Sequence, residues 1–133
     1  MFECEIPLEA VAKQRPRAFY NKKLKRASVY TPQKTVSFEL MVRFFISQNA
    51  GYELLDNPFK EPVKLTCGFF LKSPKKPRFE CPGVKPDLDN YIKSVLDAMN
   101  GLILVDDALV CEIDAFKRYA TGNPYIYIKL ESI

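Results

Sequence analysis

Acidic residues are concentrated in one part of a chain that is basic as a whole. Residues 86–114 contain seven carboxylates and a single lysine, Lys93, although the whole chain has a net charge of +4. Carboxylates repel one another, so a cluster of this kind usually needs a cation to neutralise it. Mg²⁺ and Mn²⁺ prefer such hard oxygen ligands and leave positions for water and phosphate. The acidic segment therefore indicates a metal site of the kind used in phosphodiester hydrolysis.

Asp87 and Asp89 lie where the chain is predicted to change from an extended segment to a helix over about 88–100. In an extended segment, side chains two residues apart face the same side. Both carboxylates would then lie beside the free N–H groups of a helix N-terminus, which can bind phosphate. Lys93 follows four residues after Asp89, one turn along the same helix face, and is expected to reach the same space.

Asp106 and Asp107 follow this helix and are the candidates for a third carboxylate. The helix is about 18 Å long at ~1.5 Å per residue, and residues 101–107 could span roughly 23 Å if extended. The chain is therefore expected to return to the helix start. Because adjacent strand residues face opposite sides, only one of the two aspartates is expected to join Asp87 and Asp89.

Each of these residues also has an ordinary structural explanation. Asp87 or Asp89 could serve only as a helix cap, since aspartate is a favoured residue at that position. The 106–107 pair could be a surface turn. Lys93 could be a solvated helix-face partner of Asp89 or Asp97.

Basic residues are concentrated in two segments, residues 13–26 and 72–85, which both precede the acidic segment in the chain and are expected to flank it in the fold. A basic surface around an acidic site attracts a polyanion such as DNA, while the carboxylates hold metal. The alternative is that the first segment is a solvated loop. The candidate DNA contacts are Arg15, Arg17, Lys22, Lys23, Lys25 and Arg26, with a second group formed by Lys75, Lys76 and Arg78.

Several function classes are excluded by composition. The chain has no histidine, which removes Ser-His and Cys-His nucleophile pairs. Its four cysteines form no CxxC pair, so a structural zinc site and a disulfide framework are not expected. No apolar run approaches the length of a membrane span, and the N-terminus does not have the pattern of a secretory signal. We expect no membrane partner and a cytoplasmic location.

The pattern of apolar residues predicts one α+β domain over residues 1–133, with a mixed β-sheet and two main helices. Residues 13–26 are expected to form a loop or arm, and residues 73–86 an irregular loop. The last two strands are separated by a turn at 121–124. The predicted strands and helices are a strand at 2–8, a short strand within 27–32, a helix at 32–49, a strand at 62–72, a helix at 88–100, and strands at 109–120 and 123–132.

The segment "KPDLDNYIKSVLDAMNG" followed by "DDALV" resembles the RusA family of Holliday junction resolvases. The resemblance is close over 85–110 and extends more weakly along most of the chain. It implies a RusA-like homodimer with two Mg²⁺-dependent active sites, with Mn²⁺ as a possible substitute. It departs from the family at Pro86, where members often carry a basic residue. Carried over by position, the metal-binding residues would be Asp87, Asp89 and Asp107, and the essential lysine Lys93.

The resemblance and the charge pattern together predict an endonuclease that cuts branched DNA, specifically four-way junctions, by paired symmetric cleavage. One alternative is a module that binds branched DNA without cutting it, although such a module would not need the carboxylates. A third interpretation is a Mg²⁺-dependent enzyme acting on small nucleotides, which would have little use for the basic segments.

Overall fold

The computed structural model of the chain describes residues 1–14, 17–30 and 33–133. The sequence-based prediction of an α+β fold with a mixed sheet and two helices is confirmed. In chain order the elements are β1 (Phe2–Ile6), β2 (Arg17–Asn21), β3 (Arg26–Tyr30), α1 (Gln33–Asp56), β4 (Val63–Leu71), α2 (Leu88–Met99), a 3₁₀ turn (Asp107–Leu109), β5 (Val110–Tyr119) and β6 (Tyr125–Ser132).

The main sheet has four strands in the order β1-β6-β4-β5. Strand β4 pairs antiparallel with β6 and parallel with β5, so β5 and β6 are not neighbours although only a turn separates them in sequence. A parallel pair needs a crossover connection, and α2 supplies it between β4 and β5. As a result α2 runs opposite to both strands, and it begins near the end at which β5 finishes.

One face of the sheet is buried under the helices. Alternate residues of β4 and β6 point into this core, among them Leu65, Phe69 and Ile128, which are fully buried. The predicted apolar face of α2 packs on them, and the ring of Tyr91 stacks on Phe69 at 5.3 Å between centroids. Each large apolar side chain buried in this way contributes about 1.5–3 kcal/mol. Both ends of α2 are therefore held in fixed positions on the sheet.

Helix α1 is longer than the sequence predicts. The helix continues past Gly51 to Asp56, with Gly51 at φ 75° and ψ 168° as a non-helical break between the two parts. Glycine adopts this positive φ without the steric cost that a side chain would bring. The predicted helix stop at Gly51 therefore corresponds to a kink, and the predicted start at residue 32 lies outside the described residues.

Residues 17–30 form a separate two-stranded hairpin, so the prediction of a loop or arm over 13–26 is wrong for this part. Strands β2 and β3 pair over five positions, from the pair of residues 17 and 30 to the pair of residues 21 and 26. At the turn, the side-chain oxygen of Asn21 accepts hydrogen bonds from the backbone N–H groups of Lys23 and Leu24 at 3.0 and 3.2 Å. This bond pattern is typical of asparagine in turns.

The four cysteines are free, and two of them are buried. Burial raises the pKa of the Cys67 thiol to about 12 and that of Cys4 to about 11. Cys81 and Cys111 are exposed. Among the described residues, no helix is long and apolar enough to cross a membrane.

Candidate active site

The start of α2 presents two aspartates whose carboxylates make no hydrogen bond to the helix backbone among the described residues. Asp87 occupies the N-cap position with extended backbone (φ −71°, ψ 146°), but its side chain makes no capping hydrogen bond. Its carboxylate is 54% exposed and lies 3.4 Å from the ammonium of Lys85. Asp89 is exposed in the first turn, and no partner of its carboxylate is found among the described residues. Helix capping therefore does not explain the presence of Asp87.

Two surface hollows of 360 and 560 Å³ meet at Asp87. The other charged side chains around them are all basic, and they come from three separate parts of the chain. A carboxylate surrounded by cations in this way lies on a surface that attracts phosphate. The basic residues that line one or both hollows are Lys34, Arg78, Lys85 and Lys117.

Sequence reasoning missed Lys117, which fixes the segment that precedes Asp87. The Lys117 ammonium donates hydrogen bonds to the backbone carbonyls of Val84 at 2.8 Å and Pro86 at 2.9 Å. In the described part of the chain, these are the only hydrogen bonds that tie residues 73–86 to the sheet. The pairing of β5 with β4 decides where this lysine lies, and no local sequence signal carries that information.

Lys34, in the first turn of α1, was also missed by sequence reasoning. In the fold it lies near Gln14 of the predicted basic segment. It lines the 360 Å³ hollow together with Gln14, Lys85, Asp87 and Asn90. The backbone around this hollow is held by a hydrogen bond from the N–H of Lys13 to the carbonyl of Asn90 at 2.9 Å. The two helices and the segment before the hairpin therefore meet at this hollow.

Lys93 lies on the exposed side of α2 and pairs with Asp97, not with Asp89. Its ammonium is 3.2 Å from one oxygen of Asp97, and the other oxygen is 3.1 Å from Lys13, which also contacts Glu39 at 2.8 Å. Burial opposes the charge on Lys13, but its hydrogen bonds with the two carboxylates raise its pKa overall. Asp97 is therefore the helix-face partner of Lys93, as the structural alternative predicted. The lysine side chain is still 55% exposed.

The two adjacent aspartates after α2 have different surroundings. Asp106 caps the 3₁₀ turn, because its side chain accepts a hydrogen bond from the N–H of Ala108 at 3.0 Å. Asp107 is half-buried, and its carboxylate has no hydrogen-bond partner or ion pair among the described residues. Its backbone N–H donates to the side-chain oxygen of Asn100 at 3.1 Å. Asp106 thus has a structural use, and the side chain of Asp107 has none.

Asp107 lies at the far end of α2, so the expectation that the chain returns to the helix start is wrong for a single chain. Asn100, to which Asp107 is bonded, is the C-cap of the helix. Residues 101–104 are folded into a compact turn, with Gly101 at φ 74° and its N–H bonded to the carbonyl of Leu104 at 2.7 Å. Residues 101–107 could reach the start of α2 if they were extended. The compact turn at 101–104 instead keeps them at the C-terminal end of the helix.

The donor atoms at the start of α2 fit a divalent cation by type, because carboxylate oxygens are the ligands that Mg²⁺ and Mn²⁺ prefer. The arrangement within one chain does not complete such a site. Within residues 1–14, 17–30 and 33–133, no group of three or more aspartate, glutamate and cysteine side chains is placed so that it could hold a metal ion. Asp87 and Asp89 are neighbours, and Asp107 is not brought to them.

The predicted DNA contacts divide by location. Arg15 lies outside the described residues, and Arg17 is placed only as a residue of β2. The other residues of the first group form or adjoin the exposed hairpin turn, and the second group lies in the exposed irregular segment before α2. The exposed members are Lys22, Lys23, Lys25, Arg26, Lys75, Lys76 and Arg78.

A hollow of 680 Å³, larger than the two at Asp87, lies elsewhere, between the C-terminal part of α1 and the start of β1. None of the predicted site residues lines it. Its size alone gives no reason to prefer it over the start of α2, where charged residues of both signs converge.

Comparison with known proteins identifies the class of protein. The family model described as "Endodeoxyribonuclease RusA" matches residues 7–131, nearly the whole chain. The chain therefore belongs to the RusA family of endodeoxyribonucleases. It is also similar to the uncharacterized protein YqaN of Bacillus subtilis (strain 168), with 31% identity over 135 residues that cover 94% of this chain and 92% of the relative.

Proposed function

We propose that the chain is a divalent-metal-dependent endonuclease that resolves four-way DNA junctions by paired symmetric cuts. The observation that carries the proposal is the pair Asp87 and Asp89 at the start of α2. Asp87 makes no capping hydrogen bond there, and lysines and an arginine line the two hollows that meet at it. In a member of the RusA family, these are the groups that would hold the metal.

In this function Asp87 and Asp89 would hold the cation, and Asp107, which lies at the other end of α2 within one chain, would be the third ligand that the family resemblance implies. When bound, a divalent cation lowers the pKa of a water molecule and neutralises charge on the phosphate. The chain's own basic residues bind the DNA and stabilise the reacting phosphate. Lys34 and Lys85 attract the DNA backbone towards the start of α2, and Lys93 stabilises the negative charge that develops on the reacting phosphate.

The test is an incubation of the protein with a synthetic four-way junction and, separately, with a duplex of matched length and sequence. We expect Mg²⁺-dependent cutting of the junction, little cutting of the duplex, and no cutting when the metal is chelated. A protein that binds the junction tightly but leaves every strand intact with either Mg²⁺ or Mn²⁺ would instead be the non-catalytic binding module.

The basic hairpin is the proposed holder of the junction arms. Replacing Lys22, Lys23, Lys25 and Arg26 together by glutamine should weaken junction binding and flatten its salt dependence. Each lost phosphate contact removes about 0.9 from the slope of log affinity against log salt on duplex-like DNA. An unchanged slope would make the hairpin turn a solvated element without a binding role.

Substitutions of Lys93 distinguish a role in catalysis from a role in charge balance. Lys93→Ala should lower the single-turnover rate by roughly 10²-fold, the scale of losing one electrostatic stabiliser, with little change in junction affinity. If the lysine serves only its exposed pair with Asp97, its removal changes stability by about 0.3–0.5 kcal/mol and leaves the rate intact. Partial rescue by Lys93→Arg would support an electrostatic role.

Homodimer formation is part of the proposal, and α1 offers a surface for it. One side of this helix is buried in the core, yet the opposite side is also apolar and carries no charge at its centre. An α-helix that is apolar on both sides normally has a partner on both. The exposed apolar residues before the break at Gly51 are Leu40 (62% exposed), Met41 (49%) and Phe44 (58%); we call this the α1 face.

We assign the α1 face to a second copy of the chain. Its three side chains form an apolar centre without charge, and depletion of charged residues at the centre is typical of protein–protein interfaces. Phe44→Glu should therefore convert the dimer into monomers in sedimentation experiments. Phe79→Glu, which alters an exposed phenylalanine outside the helices, is the control and should leave the dimer intact.

A further inference from the structure

We infer that Lys13 is a positioning residue for the proposed reaction, because it shares Asp97 with Lys93 and so leaves Lys93 free to move to the reacting phosphate. The inference rests on the proposed function, in which Lys93 stabilises the negative charge on that phosphate. Lys13 lies between β1 and β2, at the start of the predicted basic segment, and is not one of the predicted DNA contacts. Its role follows from its contacts with two carboxylates.

Four side chains of alternating charge form a row beside α2. A carboxylate oxygen of Glu39 lies 2.8 Å from the ammonium of Lys13, which lies 3.1 Å from one oxygen of Asp97. The other oxygen of Asp97 lies 3.2 Å from the ammonium of Lys93. The first three side chains are only 21–24% exposed, whereas Lys93 is 55% exposed. Lys93 is therefore the member of the row that is free to leave it.

The ion pair with Asp97 holds Lys93 away from the proposed reaction. Asp89 lies one helical turn before Lys93 and Asp97 one turn after it, about 5.4 Å in each direction. Pairing with Asp97 keeps the ammonium on the C-terminal side of this position, whereas the proposed reaction takes place at the start of α2. Lys93 must therefore give up Asp97 when it contacts the phosphate, and the strength of the ion pair sets the cost of that step.

Lys13 lowers this cost because it neutralises the carboxylate that Lys93 leaves behind. A largely buried carboxylate without a cation is strongly unfavourable, so an Asp97 that lacked Lys13 would hold Lys93 more tightly. Burial lowers the pKa of Lys13, but its hydrogen bonds with Glu39 and Asp97 raise it overall. Lys13 therefore stays charged and competes with Lys93 for the same carboxylate.

The segment that carries Lys13 is fixed along α2. The N–H of Lys13 donates a hydrogen bond to the carbonyl of Asn90 at 2.9 Å, and the hydroxyl of Ser94 donates one to the carbonyl of Val11 at 2.6 Å. Ser94 is 1% exposed, so the second contact is closed to water. Lys13 is thus expected to stay in place when Lys93 moves.

The test compares two variants that break the same ion pair and are expected to change the rate in opposite directions. Lys13→Met removes the competing cation, so we expect the single-turnover rate on a four-way junction to fall about 5-fold, the scale of one ion pair near the surface. Glu39→Gln leaves Lys13 entirely to Asp97, so we expect the rate to rise, by about 2-fold. A fall in both rates is what a merely structural ion pair would give, and it would overturn the inference.

Two double variants show whether the effect passes through Lys93. When Lys13→Met is combined with Asp97→Asn, no charged carboxylate is left to hold Lys93, and the 5-fold loss should disappear. In a Lys93→Ala background, Lys13→Met should lower the rate no further. A loss that persists in both backgrounds would assign the effect of Lys13 to folding or DNA binding and would contradict the inference.

A second readout does not depend on cutting. The rate at which an acylating reagent labels the Lys93 amine, followed by mass spectrometry without DNA, reports how tightly Asp97 holds this lysine. Only the uncharged amine reacts, and a nearby carboxylate favours the charged form. Lys13→Met should slow the labelling of Lys93, and Glu39→Gln should speed it. The exposed Lys60 is the internal control and should be labelled at the same rate in every variant.

The labelling experiment separates this inference from the proposed function. Labelling of Lys93 that does not change in either variant would overturn the inference while leaving the proposed function standing. A wild-type protein that cuts no junction, but whose variants show both shifts in labelling, would count against the proposed function alone. If Lys13→Met fails to fold, Glu39→Gln carries the test, and slower labelling of Lys93 in that variant would overturn the inference.

Discussion

Asp87→Asn is expected to lower junction cleavage by at least about 10²-fold, the scale of losing a preorganised electrostatic group, and to leave junction affinity unchanged or slightly higher. The carboxylate would be a metal ligand, and asparagine has no charge with which to hold the cation. Removing a negative charge beside the DNA also lessens repulsion of phosphate. Rates are measured under single-turnover conditions, and affinity by titration with the metal chelated.

The fold should tolerate this change. Asp87 makes no capping bond, and within residues 1–14, 17–30 and 33–133 its only charged partner is the exposed Lys85. Exposed pairs of this kind contribute at most about 1 kcal/mol. Asp56→Asn, which alters an exposed aspartate at the end of α1, is the matched control and should cut at the wild-type rate. An Asp87→Asn protein that also cuts at that rate would remove Asp87 from the active site. Asp89→Asn should repeat the loss.

The adjacent aspartates Asp106 and Asp107 are expected to give opposite results. Asp107→Asn should abolish cutting to the same degree, about 10²-fold or more, with little change in thermal stability, because no structural contact of its carboxylate is found among the described residues. Asp106→Ala should keep the cutting rate but lose about 1 kcal/mol of stability, the usual cost of losing a capping side chain. The contact that this variant loses is the hydrogen bond that the N–H of Ala108 donates to the Asp106 side chain.

Chemical denaturation and single-turnover assays on both variants measure the two effects separately. If Asp106→Ala abolishes cutting while the protein stays folded, and Asp107→Asn cuts normally, the assignment within the pair is wrong. If both variants lose activity and stability together, the 3₁₀ turn acts as a unit and neither side chain can be assigned alone.

Local patterns predicted much of this fold. The apolar period of α2 places Tyr91, Val95 and Met99 in the core, as the structure confirms. Alternation along β4 and β6 likewise predicts both strands to within two residues at each end. These signals work because each depends on one element packing on one core face. The position of Asp87 and Asp89 at the start of α2 follows from the same pattern.

Features that depend on pairing between distant segments could not be predicted. The separation of β5 from β6 by β4, and with it the contact of Lys117 with the segment before Asp87, is a matter of sheet order. A short strand within 27–32 was predicted and overlaps β3, but its pairing with β2 was hidden by the basic residues of 13–26, which suggested a solvated arm. The position of Asp107 was misjudged because the length of a linker limits only how far it could reach. The compact turn at Gly101 decides where it goes.

The most direct test of the proposed function is to map the cuts on a four-way junction whose strands are labelled one at a time. We predict cuts in two opposing strands at symmetric positions, dependent on Mg²⁺, and product duplexes whose nicks DNA ligase can seal. That outcome needs two equal active sites acting on one junction. A junction that stays intact, or strands cut at unrelated positions and as readily in a matched duplex, would contradict the account.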